Sequence, residues 1–413
     1  MQAKQKYTIL FSLYLAQSIP MSFFSTVLPV IMRMESYSLT SIGLLQLIKI
    51  PWIAKFLWAP LVDRSAGSNM HYRRWIIGSE VFYAVVILAI GFFNLDADFT
   101  TIIVLMIIAF ILSATQDIAS DALAVRILKK TERGYGNSLQ SSGNFLGTLF
   151  GSGVLLFLYS VMGWQQLMWV LAGIVLIALI PVYRYRQKQP GLVQDTGGSR
   201  KKVSLMDIGG FFRQKLIWKR IILLVLFYSG IVGILAMLKP LLVDFGYSVK
   251  QIAFMTGIFG TALGAGSAFL GGYLIRKLGN RKAMQLFTLY GFLAALLAAF
   301  VATGQKAEFL VYLSIGTIWS AYGMCSVAVY TISMNTVRTG REGTDYTIQI
   351  VLTHLSSLLV VILSGKIGDL LGYSGLFLME AGLGLSVTVL VRYLYYDPEL
   401  QSDSEYNYIQ KRA

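Results

Sequence analysis

Two carboxylates four residues apart, Asp117 and Asp121, interrupt an otherwise apolar run. On a helix this spacing puts both on one face. Away from water, two neighbouring carboxylates cannot both ionise cheaply, so the pair suits proton carriage; the competing reading is ion pairing with a cation. Cations are at hand in an earlier apolar run, which holds Lys49 and Lys55. Lys49 could anchor an anionic or chelating solute, or pair with a carboxylate. Lys55, six residues on, lies about 240° around a helix from it and is expected to meet different neighbours. Trp52 and Trp58 flank Lys55 three residues away on either side. That is close enough to stack on its ammonium and favours a structural or gating role.

His354 and Glu380 stand alone in two later apolar runs. A histidine can titrate near neutrality, although a solitary one in an apolar helix more often packs as the neutral form. Glu80 is expected at a gate or at the surface. Side chains that could line a polar path are Gln17 beside Pro20, Gln140, Asn144, and Tyr322 with Trp319. Each could instead make an interhelical hydrogen bond, worth about 0.6 kcal/mol. No HExxH, no phosphate-cradling GxxxxGK[ST] and no Cys/His cluster occurs, and Gly264-Ala-Gly266 lacks the strand and third glycine of a dinucleotide site. We therefore expect no metal, no cofactor and no hydrolysis-driven pumping. A membrane acyltransferase would need a catalytic histidine on a polar face, and His354 is isolated, so no catalytic residue and no enzyme activity are expected. Cys325, the sole cysteine, reads as a packing residue.

The elements that must position these groups follow from composition. Hydrophobic residues make up 56% of the 413 and charged residues 13%, with mean hydropathy +0.65, against roughly 45–50% and 25% in soluble domains. The chain is too apolar for water and too long for one anchor. Runs of about 20 apolar residues, the length of a membrane-crossing helix, occupy 7–32, 39–61, 75–94, 99–125, 136–162, 165–185, 221–245, 250–275, 284–304, 309–334, 346–368 and 375–396. They predict an all-α protein of twelve spans; the basic first residues open a membrane helix, since the run after them exceeds signal length. The amino terminus, the even-numbered loops and the carboxyl tail hold 28 of the 35 lysines and arginines, against four on the odd-numbered loops. That asymmetry places both termini in the cytoplasm. It also explains the net charge of +15 as topology and contact with anionic lipid, with no nucleic-acid surface.

The organisation predicted is a six-helix bundle over 1–185, a cytoplasmic linker over 186–219, a second bundle over 220–396 and a cytoplasmic tail over 397–413. Within the linker, Ser204-Leu-Met-Asp207 reads as a capping box. It would open an amphipathic interfacial helix with Leu205, Ile208, Phe212, Leu216 and Trp218 as apolar positions; Gly209-Gly210 weakens it, and a plain solvated linker is the alternative.

The halves are related. Ala59-Pro-Leu-Val-Asp63-Arg64 follows the second span and, after the insertion Ser65-Ala-Gly-Ser-Asn-Met-His71, comes Arg73-Arg74; Gly272-Tyr-Leu-Ile-Arg276-Lys277-Leu-Gly279-Asn-Arg281-Lys282 follows the eighth. Gly134-Tyr-Gly-Asn-Ser-Leu-Gln140 similarly matches Gly343-Thr-Asp-Tyr-Thr-Ile-Gln349. The offsets, 213 residues from Asp63 to Arg276 and 209 from Gly134 to Gly343, nearly agree. A parallel six-plus-six repeat suits a transporter whose halves rock around a central site.

These motifs resemble the major facilitator superfamily, whose signature G-x-x-x-D-R-x-G-R-R/K lies in the loop after span two. Here the leading glycine is Ala59, and the weaker second copy has Arg276 in place of the acid. Lys55-Phe-Leu-Trp-Ala-Pro-Leu-Val-Asp-Arg64 and Thr115-Gln-Asp-Ile-Ala-Ser-Asp-Ala-Leu-Ala-Val-Arg126 are similar to the group of AmpG-type muropeptide permeases, acetyl-CoA transporters and RhtX/FptX siderophore permeases. The second stretch is most like the siderophore branch. The resemblance implies a monomeric, multi-pass secondary transporter of the inner (plasma) membrane. Its expected work is proton-coupled symport of an amphipathic organic solute, siderophore uptake first and muropeptide import next, with a metabolite or drug exporter as the rival. Lys55, Asp63, Arg64, Arg73, Arg74, Asp121, Arg126, Gly272, Gly279 and Arg281 would form its gate. Gln17, Lys49, Asp117, Gln140, Asn144, Tyr322 and His354 would line the path of substrate and proton.

Overall fold

The structure, a computed structural model, describes residues 3–34, 45–64, 68–95, 97–184 and 203–395, and among them every regular element is helical. The tail 397–413 and the bundle boundary placed at 185–186 lie outside the described residues. Eight helical segments are long and apolar enough to cross a membrane. Two of these, Lys130–Tyr183 and Glu342–Leu394, run for 54 and 53 residues, more than twice a single span. Each is broken by a glycine that side chains disfavour: Gly163 (φ 77°) and Gly372 (φ 68°) turn the chain back. Counting each as two spans and adding Asn69–Ile90 and the segments over 46–63 gives the twelve expected.

The second span departs from expectation. It is a relay of short pieces, Gln46–Lys49, Ile50–Ala54, Lys55–Leu57 and Ala59–Asp63, and not one helix. Pro51 and Pro60 sit in the first turns of the two α-helical pieces. Each removes a backbone donor and crowds the preceding turn. The tight turn at Lys55 aims that lysine into the interior, where it is 1% exposed. Span five starts on its own cap, the Glu132 carboxylate accepting the Lys129 N–H at 2.9 Å and pairing with Lys6.

Phe23, Tyr83, Met106 and Leu171 belong to an apolar core of the first half, while a second core holding Phe287, Cys325, Ile332 and Phe377 also takes in Leu10, Tyr14 and Ala124 across the interface. Gly147 and Gly151 let span five lie against span one, where a Cβ would fall 2.4 Å from Ser18 Cβ and 2.3 Å from the Ile19 carbonyl oxygen. The halves pack together along spans five and eight, with further contacts from spans two and four to span eleven. Gly272 of the second motif copy is the closest crossing. A Cβ there would sit 2.1 Å from Ser138 Oγ and 2.5 Å from the Gly134 carbonyl oxygen. Gly272→Ala should therefore push spans five and eight apart at a cost of about 1–3 kcal/mol, read as lost thermal stability of the purified protein. An unchanged melting temperature would contradict this packing.

The internal repeat has a structural counterpart. Arg73 donates to the carbonyls of Val182 (3.0 Å) and Tyr183 (2.6 Å) at the end of span six, and Arg281 donates to that of Arg392 (2.8 Å) at the end of span twelve. One basic residue from each motif copy thus closes the last turn of its own half.

Candidate functional site

Lys55 ion-pairs with Asp117 from span four, both buried. Gln17 Nε2 of span one donates to the other Asp117 oxygen at 2.7 Å. Asp121, one turn along, accepts from Tyr14 Oη at 2.6 Å and Gln140 Nε2 at 3.3 Å, and Tyr346 Oη of span eleven reaches Gln140 at 3.4 Å. The sequence assigned Lys55 to the gate and Asp117 to the path; the structure joins them in one pair. Trp52 stacks on the Lys55 ammonium at 4.6 Å. The second tryptophan does not share this task, since Trp58 Nε1 turns to Thr115 at 3.1 Å. Lys55 supplies one positive charge to two carboxylates.

His354 lies twelve residues into the Glu342–Leu394 helix, about 18 Å along its axis. It is nonetheless exposed, and it feels the charges of both Lys55 and Asp117. An aromatic cluster borders the same interface of the halves: Phe145 meets Trp319 at 6.1 Å and Tyr322 at 5.8 Å, and Tyr228 meets Tyr322 at 5.7 Å. Asn144 accepts from Ser18 at 2.7 Å. Lys49 is half-buried on the turn before Ile50. Gln17 Oε1, Trp52 Nε1 and Trp319 Nε1 are buried and have no hydrogen-bond partner among the described residues. Glu80, expected at a gate or the surface, is 1% exposed and belongs to the interior of the first half, where span three packs on span four.

At the basic end of the bundle the halves are latched. Asp63 accepts the backbone N–H groups of Gly343 (3.1 Å) and Thr344 (2.6 Å), the Thr344 hydroxyl (2.7 Å) and the Tyr72 hydroxyl (2.6 Å). It thus caps the start of span eleven from the opposite half, where orphan amides and the helix dipole favour an anion. Arg126 pairs with Glu342 at 3.3 Å and stacks on Tyr72 at 5.1 Å. Arg133 donates to the Met334 carbonyl and Asn335 Oδ1, both at 2.8 Å. Of the other expected gate residues, Arg64 and Arg74 are exposed, and Gly279 (φ 78°) turns the chain between spans eight and nine. Tyr14, Tyr72, Tyr346, Arg133 and Glu342 were not singled out in the sequence. Tyr14 left a signal, one turn before Gln17 on the same helix face, and Tyr346 lies inside the repeated stretch Gly343–Gln349.

The linker helix is present but shorter than read, Met206–Phe212. Its start keeps half of the expected box, the Ser204 N–H donating to Asp207 Oδ2 at 2.8 Å. Leu216 at φ 60° ends the pattern, and Phe211 is the buried anchor, packed with Ile217, Ile221 and Ile348, while Leu205 and Trp218 are exposed. Asp207 pairs with Arg341, and Arg338 bridges the Asp207 carbonyl and the Asp345 carboxylate. Burial pushes the Asp207 carboxyl up, but the Ser204 amide and the Arg341 and Arg338 guanidiniums outweigh it and hold the group below its ordinary value of 3.8. A depressed folded value means that the stabilisation is complete above the unfolded value and fades as pH falls through the folded one. The Asp207–Arg341 contact should thus be insensitive to pH near neutrality and loosen only below about pH 4. Asp207→Asn should lower the hydrogen-exchange protection factors over 206–212 at neutral pH; protection equal to that of the wild type would contradict this.

A family model described as Major Facilitator Superfamily matches residues 10–359. Over 282 residues, 68% of the chain, the sequence is 26% identical to the anhydromuropeptide permease of Escherichia coli K12, and the match spans 57% of that protein's length. A Rickettsia conorii protein described as "Putative transporter AmpG 4" is 23% identical over 93% of this chain and 95% of its own. Among solved structures, the human organic anion transporter MFSD10 superposes with a TM-score of 0.71 at 15% identity, over 95% of this chain and 100% of that one. The E. coli fucose:proton symporter FucP gives 0.71 at 14%, over 94% and 98%. At such identities the structural likeness speaks for the fold.

Proposed function

The chain belongs to the major facilitator superfamily, and on that premise we propose that it is an inner-membrane, proton-coupled importer of a sugar–peptide of the anhydromuropeptide class. The observation that carries this is the buried Lys55–Asp117–Asp121 cluster together with the aromatic rings at the same interface of the halves. Aromatic faces suit the apolar faces of sugar rings. Trp52 Nε1, Trp319 Nε1 and Gln17 Oε1 offer buried polar contacts to hydroxyls and amides. The name of the E. coli relative supports the substrate class. The siderophore reading is supported only by the stretch Asp117–Arg126, and it ranks second for that reason.

With the positive-inside rule placing the basic end in the cytoplasm, the latch at Asp63 would close the cytoplasmic side. One cation shared by two carboxylates leaves the second neutral only when it holds a proton. A proton arriving at Asp117 would release Lys55, and with it the tie between spans two and four. The chain acts as a monomer in this scheme, each half rocking on the other around a central site.

Uptake by proteoliposomes tests this. Labelled anhydromuropeptide should accumulate when an inward proton gradient is imposed, and Asp117→Asn should reduce that uptake at least tenfold. Gradient-driven uptake of a ferric siderophore, with none of the muropeptide, would select the second reading. Outward pumping would replace import by export.

A further inference from the structure

Glu380, on span twelve, takes no part in the machinery above. It is 3% exposed, and its Oε1 accepts a hydrogen bond from Ser364 Oγ of span eleven at 3.0 Å. Span seven passes it with two glycines. A Cβ at Gly230 would come within 2.6 Å of the Glu380 carbonyl oxygen, and one at Gly233 within 2.0 Å of Oε1. The helix carries a notch the size of a carboxyl group. Beside it lies a cavity of ≈ 10 Å³ lined by Tyr228, Gly230, Thr288, Gly291 and Gly384, room for about one water.

The hydroxyl that reaches this carboxyl is Ser364 from span eleven; Tyr228 of span seven and Thr288 of span nine line the adjoining cavity, and Thr288 accepts from Thr388 at 2.9 Å. Among the described residues no lysine, arginine or histidine of those spans borders the site. An ionised carboxylate in such surroundings has no compensating charge, whereas an apolar side chain would fill the notch without cost. Tyr228 connects the place to the centre, since it lines this cavity and also stacks edge-on against Tyr322 at 5.7 Å.

We propose that Glu380 is a second proton-binding site, on the second half of the transporter, exchanging its proton with the water of the adjoining cavity as the central space opens and closes. The inference deepens the proton-coupled reading and rests on it. It places one proton-binding group on each side of the rocking interface. Binding is simple protonation, carboxylate plus a proton from water giving the neutral acid.

The test uses the full chain in proteoliposomes and two readouts that need no substrate. Acid–base difference infrared spectra should contain a carboxylic-acid band that Glu380→Gln abolishes and that Ser364→Ala, which keeps the carboxyl and removes its donor, moves. Spin-label distances across the outer opening should depend on pH in the wild type, and Glu380→Gln should lose at least half of that dependence. An unaltered band in Glu380→Gln, or an unaltered pH dependence of the opening, overturns the proposal. If Glu380→Gln does not fold, an unmoved band in Ser364→Ala overturns it. Wild-type uptake that moves no protons, with the Glu380 band present, would overturn the coupling assigned to transport and leave the site supported.

Discussion

Lys55→Met should lower the stability of the purified protein by about 3–5 kcal/mol at neutral pH, because it strands the Asp117 carboxylate in a site built for a pair. The pair is nearly sealed, with side chains 1% and 6% exposed. What Gln17 can give Asp117 is one charge-assisted hydrogen bond, worth about 2 kcal/mol, less than the lost ion pair. The double variant Lys55→Met/Asp117→Asn removes both charges and should regain most of the loss. Transport is expected to stay abolished in both, since neither retains an ion pair that a proton can break. Thermal melts of the two variants, measured alongside uptake, separate the roles. If the double variant were no more stable than Lys55→Met, the lysine would be stabilising something other than Asp117.

Asp63→Asn should open the basic end. Asp63 accepts four hydrogen bonds, two of them from backbone amides of the opposite half. An asparagine can present one acceptor oxygen, and its amide nitrogen would face the Thr344 N–H as donor against donor. Losing one charge-assisted bond costs about 2 kcal/mol, a shift of roughly thirtyfold toward the open latch. Double electron–electron resonance between labels on the loops after spans two and ten would report the population. A distance distribution in Asp63→Asn that matches the wild type would remove Asp63 from the gate.

The twelve spans and the repeat were legible because they are written in features that need no partner: run length, loop charge and motif spacing. Span two shows where that reading ends. Its apolar residues form one run, but Pro51 and Pro60 divide the backbone into turns, and a scale of hydrophobicity does not register a missing N–H. The pairing of Lys55 with Asp117 was beyond reach for a different reason. Sixty-two residues separate them, and which face each helix shows its neighbours is settled by packing. Tyr14, Tyr72 and Tyr346 hid among aromatic packing residues, since their rings fit an apolar run and only the hydroxyl declares a role. The surface alternative for Glu80 fails, since the residue is buried where span three packs on span four. In the linker, the Ser204–Asp207 start was visible, but Leu216, in the left-handed region that few side chains enter, moved the buried anchor to Phe211.

Spans five and eleven begin at matching places in the repeat, yet they are not finished in the same way. Span five completes its first turn with its own Glu132, whereas span eleven takes its cap from Asp63, some 280 residues earlier. The second motif copy has Arg276 where a returning acid would stand, so the loan runs in one direction. In the proposed scheme, closure of the basic end is in this sense the last step in folding a helix and not a bolt drawn across two completed ones. Each opening returns span eleven to an unfinished state, and the cost of that incompleteness falls on the second half alone.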